Sequence, residues 1–408
     1  MDAKYAEYLE TNFLRPIKVS RKEEYYSDIQ SITESLTFFL GRKYTIAYEF
    51  VRETERMLIN AVALFEKGYF DASFYMLRQT LEICMTIAYF LELPDGEREE
   101  KFKDWKGSVE KFPTVGEIRR ILDGADYSVD FKDFKAKMPM FFKEFREIYA
   151  KLNKYTHKQG YRYFYSIRWR EGDRKDIDNN LLDNFVSLLE KCIGNAWMFR
   201  LMIDPLPVLL MDDEIEYRIA DPMLNPIPFS VLDKYIGSAR LEEYMSTNLY
   251  LGFRADIVEK REKLSEATYT YAKMDLLERK DIPEVLKQSH LLTLRQKIQL
   301  LLIAHSPQVA VIHSYDGLWS CFTDVKSNRN DHSDSSKEFE ALRNSGQLCN
   351  QPFKGVYATV VKVHNDFYTL EHNEPFDAMR VITLAQFASK LDEIINYEEM
   401  SLERMVKT

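Results

Sequence analysis

The stretch that most constrains this chain is residues 72–92, ASFYMLRQTLEICMTIAYFLE. Phe74, Leu77, Leu81, Cys84, Met85, Ala88 and Leu91 spread apolar surface around most of a helical circumference. A helix of that kind is stable only when other elements surround it, so it predicts the centre of a helical assembly. Asp71 is placed to cap its start, and Pro94-Asp95-Gly96 ends it. Arg78 and Glu82 interrupt the apolar surface four residues apart, on one face, where they form a supporting ion pair.

Helical periodicity extends to both sides. Residues 3–14 and 24–40 read as helices, and 44–67 follows the same period up to the stop at Gly68. Residues 97–137 are polar and broken by Gly107, Pro113 and Gly116. Periodicity returns at 138–157 and again at 181–197, where Leu181, Leu182, Phe185, Leu188, Leu189, Cys192, Ile193, Ala196 and Trp197 recur at helical spacing. Between 204 and 229 stand five of the 13 prolines, with the acidic group Asp212, Asp213, Glu214 and Glu216. Proline removes backbone donors, so this is a connector. Further helices are predicted at 239–247, 254–279 and 290–304, and from Thr383 to Tyr397. Residues 326–336, KSNRNDHSDSS, read as an exposed, mobile loop. The β-branched and aromatic runs at 356–363 and 367–372 flank His364-Asn365-Asp366 and predict a β-hairpin.

The fold class that follows is mainly α. An N-terminal antiparallel helical bundle (1–203) is followed by the proline-rich connector (204–229), then by a helical region ending in a small α+β module with the hairpin (230–408). A length of 408 residues suits two or three domains, and 45% apolar with 30% charged residues suits a folded chain. The four cysteines show no C-x-x-C pairing, which points to a reducing, cytoplasmic setting. The charged N-terminus offers no leader, and no apolar run approaches the ~20 residues that span a bilayer, so no membrane partner is expected.

The formal net charge is −9, yet residues 149–175 carry eight Lys and Arg against Glu171 and Asp173. Within this run Asn153 and His157 are four apart and share a helix face with Tyr149. Imidazole titrates near neutrality, so His157 can act as acid or base, with Lys151 or Lys154 supplying positive charge to a developing phosphorane. The same residue types also suit a helix C-terminus, where a His caps carbonyls and complements the dipole. Beyond it, Arg162, Arg168 and Arg170 can track phosphates while Tyr163, Tyr165 or Trp169 stack on bases; the alternative is an apolar core under a solvated basic face. His305, His313, His364 and His372 show no metal-ligand spacing; His364 and His372 either face each other across the hairpin or are exposed polar residues at a turn, and no metal or cofactor is expected. Neither a Gly-rich phosphate loop nor a G-x-S-x-G elbow occurs.

The outline Ala72-Ser73, Met76-Leu77-Arg78, Glu82 and Tyr89, followed by IYAKLNKYTHKQG at 148–160 with Trp105, Lys106 and Phe112 between, resembles the HEPN superfamily. The resemblance covers roughly residues 45–200 and is to uncharacterised bacterial members. It implies a dimeric helical bundle of toxin–antitoxin or phage-defence type. Catalytic members carry Arg, four to six residues, then His, and cleave RNA without metal. His157 matches that His, Lys151 stands at the Arg position, and Asn153 lies two residues beyond. Arg is a planar bidentate clamp and Lys a point charge, so this is a degenerate motif. Two functions follow from the resemblance. One is RNA binding or metal-independent endoribonuclease activity. The other is a non-catalytic scaffold for a protein partner, such as an antitoxin, or a nucleotide.

Overall fold

The computed structural model describes residues 4, 16–34, 42–109, 111–164 and 174–406. The protein is mainly helical, with one six-stranded sheet toward its C-terminal end. It divides into two compact units, a helical one (Met1–Ile215 and Leu224–Glu259) and a sheet-containing one (Glu216–Met223 and Lys260–Thr408). Among the described residues no helix is long and apolar enough to cross a membrane.

In the helical unit, α1 (Lys22–Glu34), α2 (Arg42–Glu66), α3 (Phe70–Glu92), α4 (Asp95–Gly107), α5 (Val115–Gly124), α6 (Val129–Lys137), α7 (Pro139–Thr156) and α8 (Arg174–Ile203) follow in order. As its all-round apolar surface dictates, α3 is the centre, packed by α2, α5, α7 and α8. Phe74, Leu77, Leu81, Cys84, Ala88 and Phe90 are fully buried. Stacked rings tie the helices together, Phe65 on Phe185 at 4.0 Å and Phe74 on Tyr155 at 4.1 Å. The turn from α2 to α3 uses Gly68 at φ +83°, a conformation that glycine adopts without a Cβ penalty. Asp71 does not cap α3. The cap position is Tyr69, and Asp71 instead pairs with Lys158 beyond α7. The helix expected at 3–14 lies outside the described residues, Lys4 excepted.

Residues 224–259, expected in the connector up to 229 and with the C-terminal region beyond it, pack with the helical unit through α9 (Ser238–Met245), α10 (Asn248–Lys260) and the turn before them. Tyr235 donates its hydroxyl to Asp28, and Tyr244, fully buried, donates to the Leu201 carbonyl at 2.9 Å. Gly194 of α8 lies so close to this segment that a Cβ would stand 2.5 Å from the Tyr235 carbonyl oxygen. These contacts are aromatic and long-range, so they leave no periodic trace in the chain. The long helix expected over 254–279 is broken. α10 ends at Lys260, Ser265 then caps α11 (Glu266–Met274) by accepting from the Thr268 N–H, and Leu276–Leu277 is a strand.

The sheet consists of β1 (Leu276–Leu277), β2 (Val309–Ser314), β3 (Trp319–Thr323), β4 (Gln351–Phe353), β5 (Val356–Val363) and β6 (Asp366–His372) in the order β1-β3-β2-β6-β5-β4. β1 runs parallel to β3, and the other neighbours are antiparallel. One face carries Ile312, Cys321, Val361, Val363 and Leu370 against Leu300 and Ile303 of α12 (Leu294–His305) and Leu384 and Ala388 of α14 (Ala378–Val406). The other face carries Ala358 and Val360 against Phe339 and Leu342 of α13 (Ser336–Asn344). Covered on both sides, β2 is buried along its whole length, which explains its unbroken apolar run from Val309 to Ile312.

Candidate functional site

The sequence places its candidate chemistry along α7. Arg78 and Glu82 do form an ion pair, Nη2 to Oε1 at 2.6 Å, mostly buried on α3. Tyr149 of α7 donates its hydroxyl to the same Glu82 oxygen at 2.9 Å, and Gln79 donates to the other at 2.6 Å. The Arg78 guanidinium also lies 5.8 Å from the Tyr149 ring centroid. Burial, and then the Glu82 carboxylate, push the Tyr149 phenol above its ordinary pKa against the opposing pull of Arg78. The pair therefore fastens α3 to α7, and its arginine is already engaged.

His157 is the C-terminal cap residue of α7, and it is exposed, its N–H bonded to the Asn153 carbonyl at 2.9 Å. Asn153 is half-buried, with an Oδ1 that has no hydrogen-bond partner among the described residues. At about 100° per residue, His157 lies roughly 40° around the helix from Asn153 but roughly 120° from Lys151. The structure separates them accordingly. Lys151 and Lys154 are exposed and line an open groove of about 570 Å³ with Glu147, Tyr155, Tyr163 and Asn184, and His157 is not part of that lining. Arg162 belongs to the single 3₁₀ turn Tyr161–Tyr163, with its side chain outside the described residues. Arg168, Trp169 and Arg170 lie outside them altogether. Tyr163, one of the candidate stacking residues, is buried against Tyr155, ring centroids 4.8 Å apart.

A second concentration of chemistry lies in the sheet unit, in residues that sequence reasoning set aside. His313 on β2 faces Ser320 on β3 across the ladder, and its ring joins two groups. Nδ1 lies 2.7 Å from Ser320 Oγ, and Nε2 lies 2.7 Å from Glu371 Oε1 on β6. Both bonds are satisfied by one tautomer, in which Nε2–H donates to the carboxylate and Nδ1 accepts the serine hydroxyl. Glu371, 0% exposed, also accepts from Arg329. Arg329 in turn donates to Asp334 at 2.5 Å, and Asp334 accepts from Lys354.

The loop expected to be solvent-exposed thus buries Arg329 to 6% exposure, because two buried carboxylates require a cation. His372, expected at an exposed turn, is fully buried, stacked 3.7 Å from Phe376, and bonded through Nε2 to Thr359. Its register partner is Tyr357, so His372 does not face His364, which lies at the far turn of the hairpin.

Ligating atoms of His313, Asp334 and Glu371 lie within 4.8 Å of one another, the donor set of a divalent cation. Arg329 stands on both carboxylates and supplies the positive charge that such an ion would bring. The one signal available in the sequence was Glu371 amid the apolar residues of a strand, a charge that a buried position obliges to find a partner. Compared with protein-family models, curated proteins and solved structures, the chain matches none.

Proposed function

We propose that the helical unit is a HEPN-like antiparallel bundle that binds RNA without cleaving it. The observation that carries this reading is the pair Lys151 and Lys154, about 60° apart on α7, both exposed along one groove beside Tyr155 and Asn184. Exposed ammonium groups spaced along a groove suit a phosphate backbone, whose affinity is largely electrostatic. In sequence, this stretch is followed by the basic run containing Arg162, Arg168, Trp169 and Arg170.

Cleavage asks for more than charge. A general acid or base acts on a phosphate held by a neighbouring cation. Here the degenerate motif turns Lys151 to a different side of α7 from His157, and the Arg78 guanidinium is committed to Glu82 and Tyr149.

The test is electrophoretic and kinetic. With a labelled single-stranded RNA, the Lys151→Glu/Lys154→Glu variant should bind at least about tenfold more weakly and show a shallower salt dependence, as expected for lost phosphate contacts. His157→Ala should bind as the parent does, and neither should change RNA integrity. Metal-independent cleavage lost in His157→Ala would replace binding by catalysis; equal affinity of the parent and the double variant would remove the RNA reading.

A further inference from the structure

A cavity of about 660 Å³ opens in the sheet unit, and all of its lining residues belong to that unit. It shares no residue with the buried network around Glu371. Four cations, Arg218, Lys260, Arg261 and Arg295, line it against the carboxylates of Asp221 and Glu262. The excess is positive although the chain as a whole is acidic. The volume lies within the range of small-molecule pockets and is far larger than a lone phosphate fills.

Two features specify the ligand further. Arg295 is fixed in place, with Nη1 donating to Asp275 Oδ1 at 3.1 Å and to Gln299 Oε1 at 3.0 Å. Its guanidinium lies 4.6 Å from the ring centroid of Trp319, which lines the cavity with Tyr315. A pre-set cation–aromatic stack offers a planar ligand a surface without new ordering cost. The first turn of α12 forms another wall, from Thr293, whose hydroxyl caps Gln296, to Gln296 itself. The cap takes the Gln296 N–H, and the amides of Leu294 and Arg295 ahead of it favour an anion.

An anionic group and a planar ring are therefore wanted together, and Leu291 and Ala272 add apolar wall that a bare phosphate would leave unused. We propose that this pocket binds a nucleoside phosphate, its base on Trp319 and its phosphates on Lys260 and Arg261. The site is separate from the RNA groove of the helical unit, and its test separates from that one.

Calorimetry and tryptophan fluorescence on the full chain use AMP and ATP, with adenosine and inorganic pyrophosphate as partial ligands. The nucleotides should bind more tightly than either partial ligand. Lys260→Glu/Arg261→Glu, two exposed positions, should weaken ATP by at least about tenfold, the loss expected for one charge-assisted hydrogen bond. Trp319→Leu should weaken AMP and leave pyrophosphate unchanged, whereas Lys151→Glu/Lys154→Glu should change neither. Three results would overturn the proposal: no nucleotide binding at millimolar concentration, affinities unaltered by the charge reversal, or pyrophosphate binding as tightly as ATP.

Discussion

Replacing Arg329 by Met removes the guanidinium and keeps a chain long enough to lie over Phe353, whose ring centroid is 5.1 Å from the Arg329 guanidinium carbon. What remains is a pair of carboxylates without their shared cation. Glu371 keeps the His313 ring at 2.7 Å from one oxygen and the His332 ring at 3.8 Å from the other, and that second oxygen is buried with no hydrogen bond among the described residues. Asp334 keeps Lys354. Both side chains are at most 1% exposed, so solvent cannot take over the role of the lost cation. Removing one member of such a buried pair costs about 3–5 kcal/mol. For a unit of this size each kcal/mol lowers the melting temperature by about 2–4 °C, so calorimetry of the full chain should show a fall of roughly 6–20 °C in the sheet unit's transition. Adding Glu371→Gln to Arg329→Met removes the stranded charge, and the double variant should be less destabilised than the sum of the single ones by about 0.5–3 kcal/mol. A fall under about 2 °C for Arg329→Met, or strict additivity of the pair, would refute the claim that this loop is held by buried charge.

Two further outcomes follow from packing and from titration. Gly194→Ala drives a Cβ to within 2.5 Å of a backbone oxygen at Tyr235, so chemical denaturation should show about 1–3 kcal/mol of lost stability, and an unchanged midpoint would mean that the two segments are not in contact. Burial holds the His372 imidazole below its ordinary pKa, so the unfolded chain binds its proton more readily than the folded one. Stability from this residue is complete above the unfolded pKa near 6.5 and is lost as pH falls through that value toward the lower folded one. The urea midpoint should decline from pH 7 to pH 5, and His372→Gln should flatten that decline; equal slopes for parent and variant would remove the assignment.

Local signals made much of the helical unit readable. The apolar surface of α3 and the i, i+4 spacing of Arg78 and Glu82 are statements about one helix, and one helix is what periodicity describes. That Tyr149 would reach Glu82 needs the packing of α7 on α3, which spacing within a single helix does not contain. The grouping of Lys151 with His157 came from a linear motif, and a helix turns residues six apart to different sides. In the sheet unit the limit was composition. KSNRNDHSDSS has the residue content of a solvated loop, and its Arg329 is buried only because Glu371, 42 residues later, waits on β6. The attachment of 224–259 to the helical unit depends on Tyr235 and Tyr244, single hydroxyls meeting partners far back in the chain.

The excursion of Glu216–Met223 into the sheet unit, with return at Leu224 and departure again after Glu259, means that the chain visits that unit twice. No single cut yields two whole halves. A fragment ending at 215 forfeits Tyr235 and Tyr244, and one starting at 260 forfeits Arg218 and Asp221 from the pocket wall. On the ribosome the order is equally constrained. The first eight residues of the sheet unit emerge before α9 and α10 of the helical unit, and must wait for the rest of their own fold while their neighbours close. Completion of the pocket wall is thereby deferred until Trp319 is made, some 60 residues after Glu259 closes the second stretch of the helical unit.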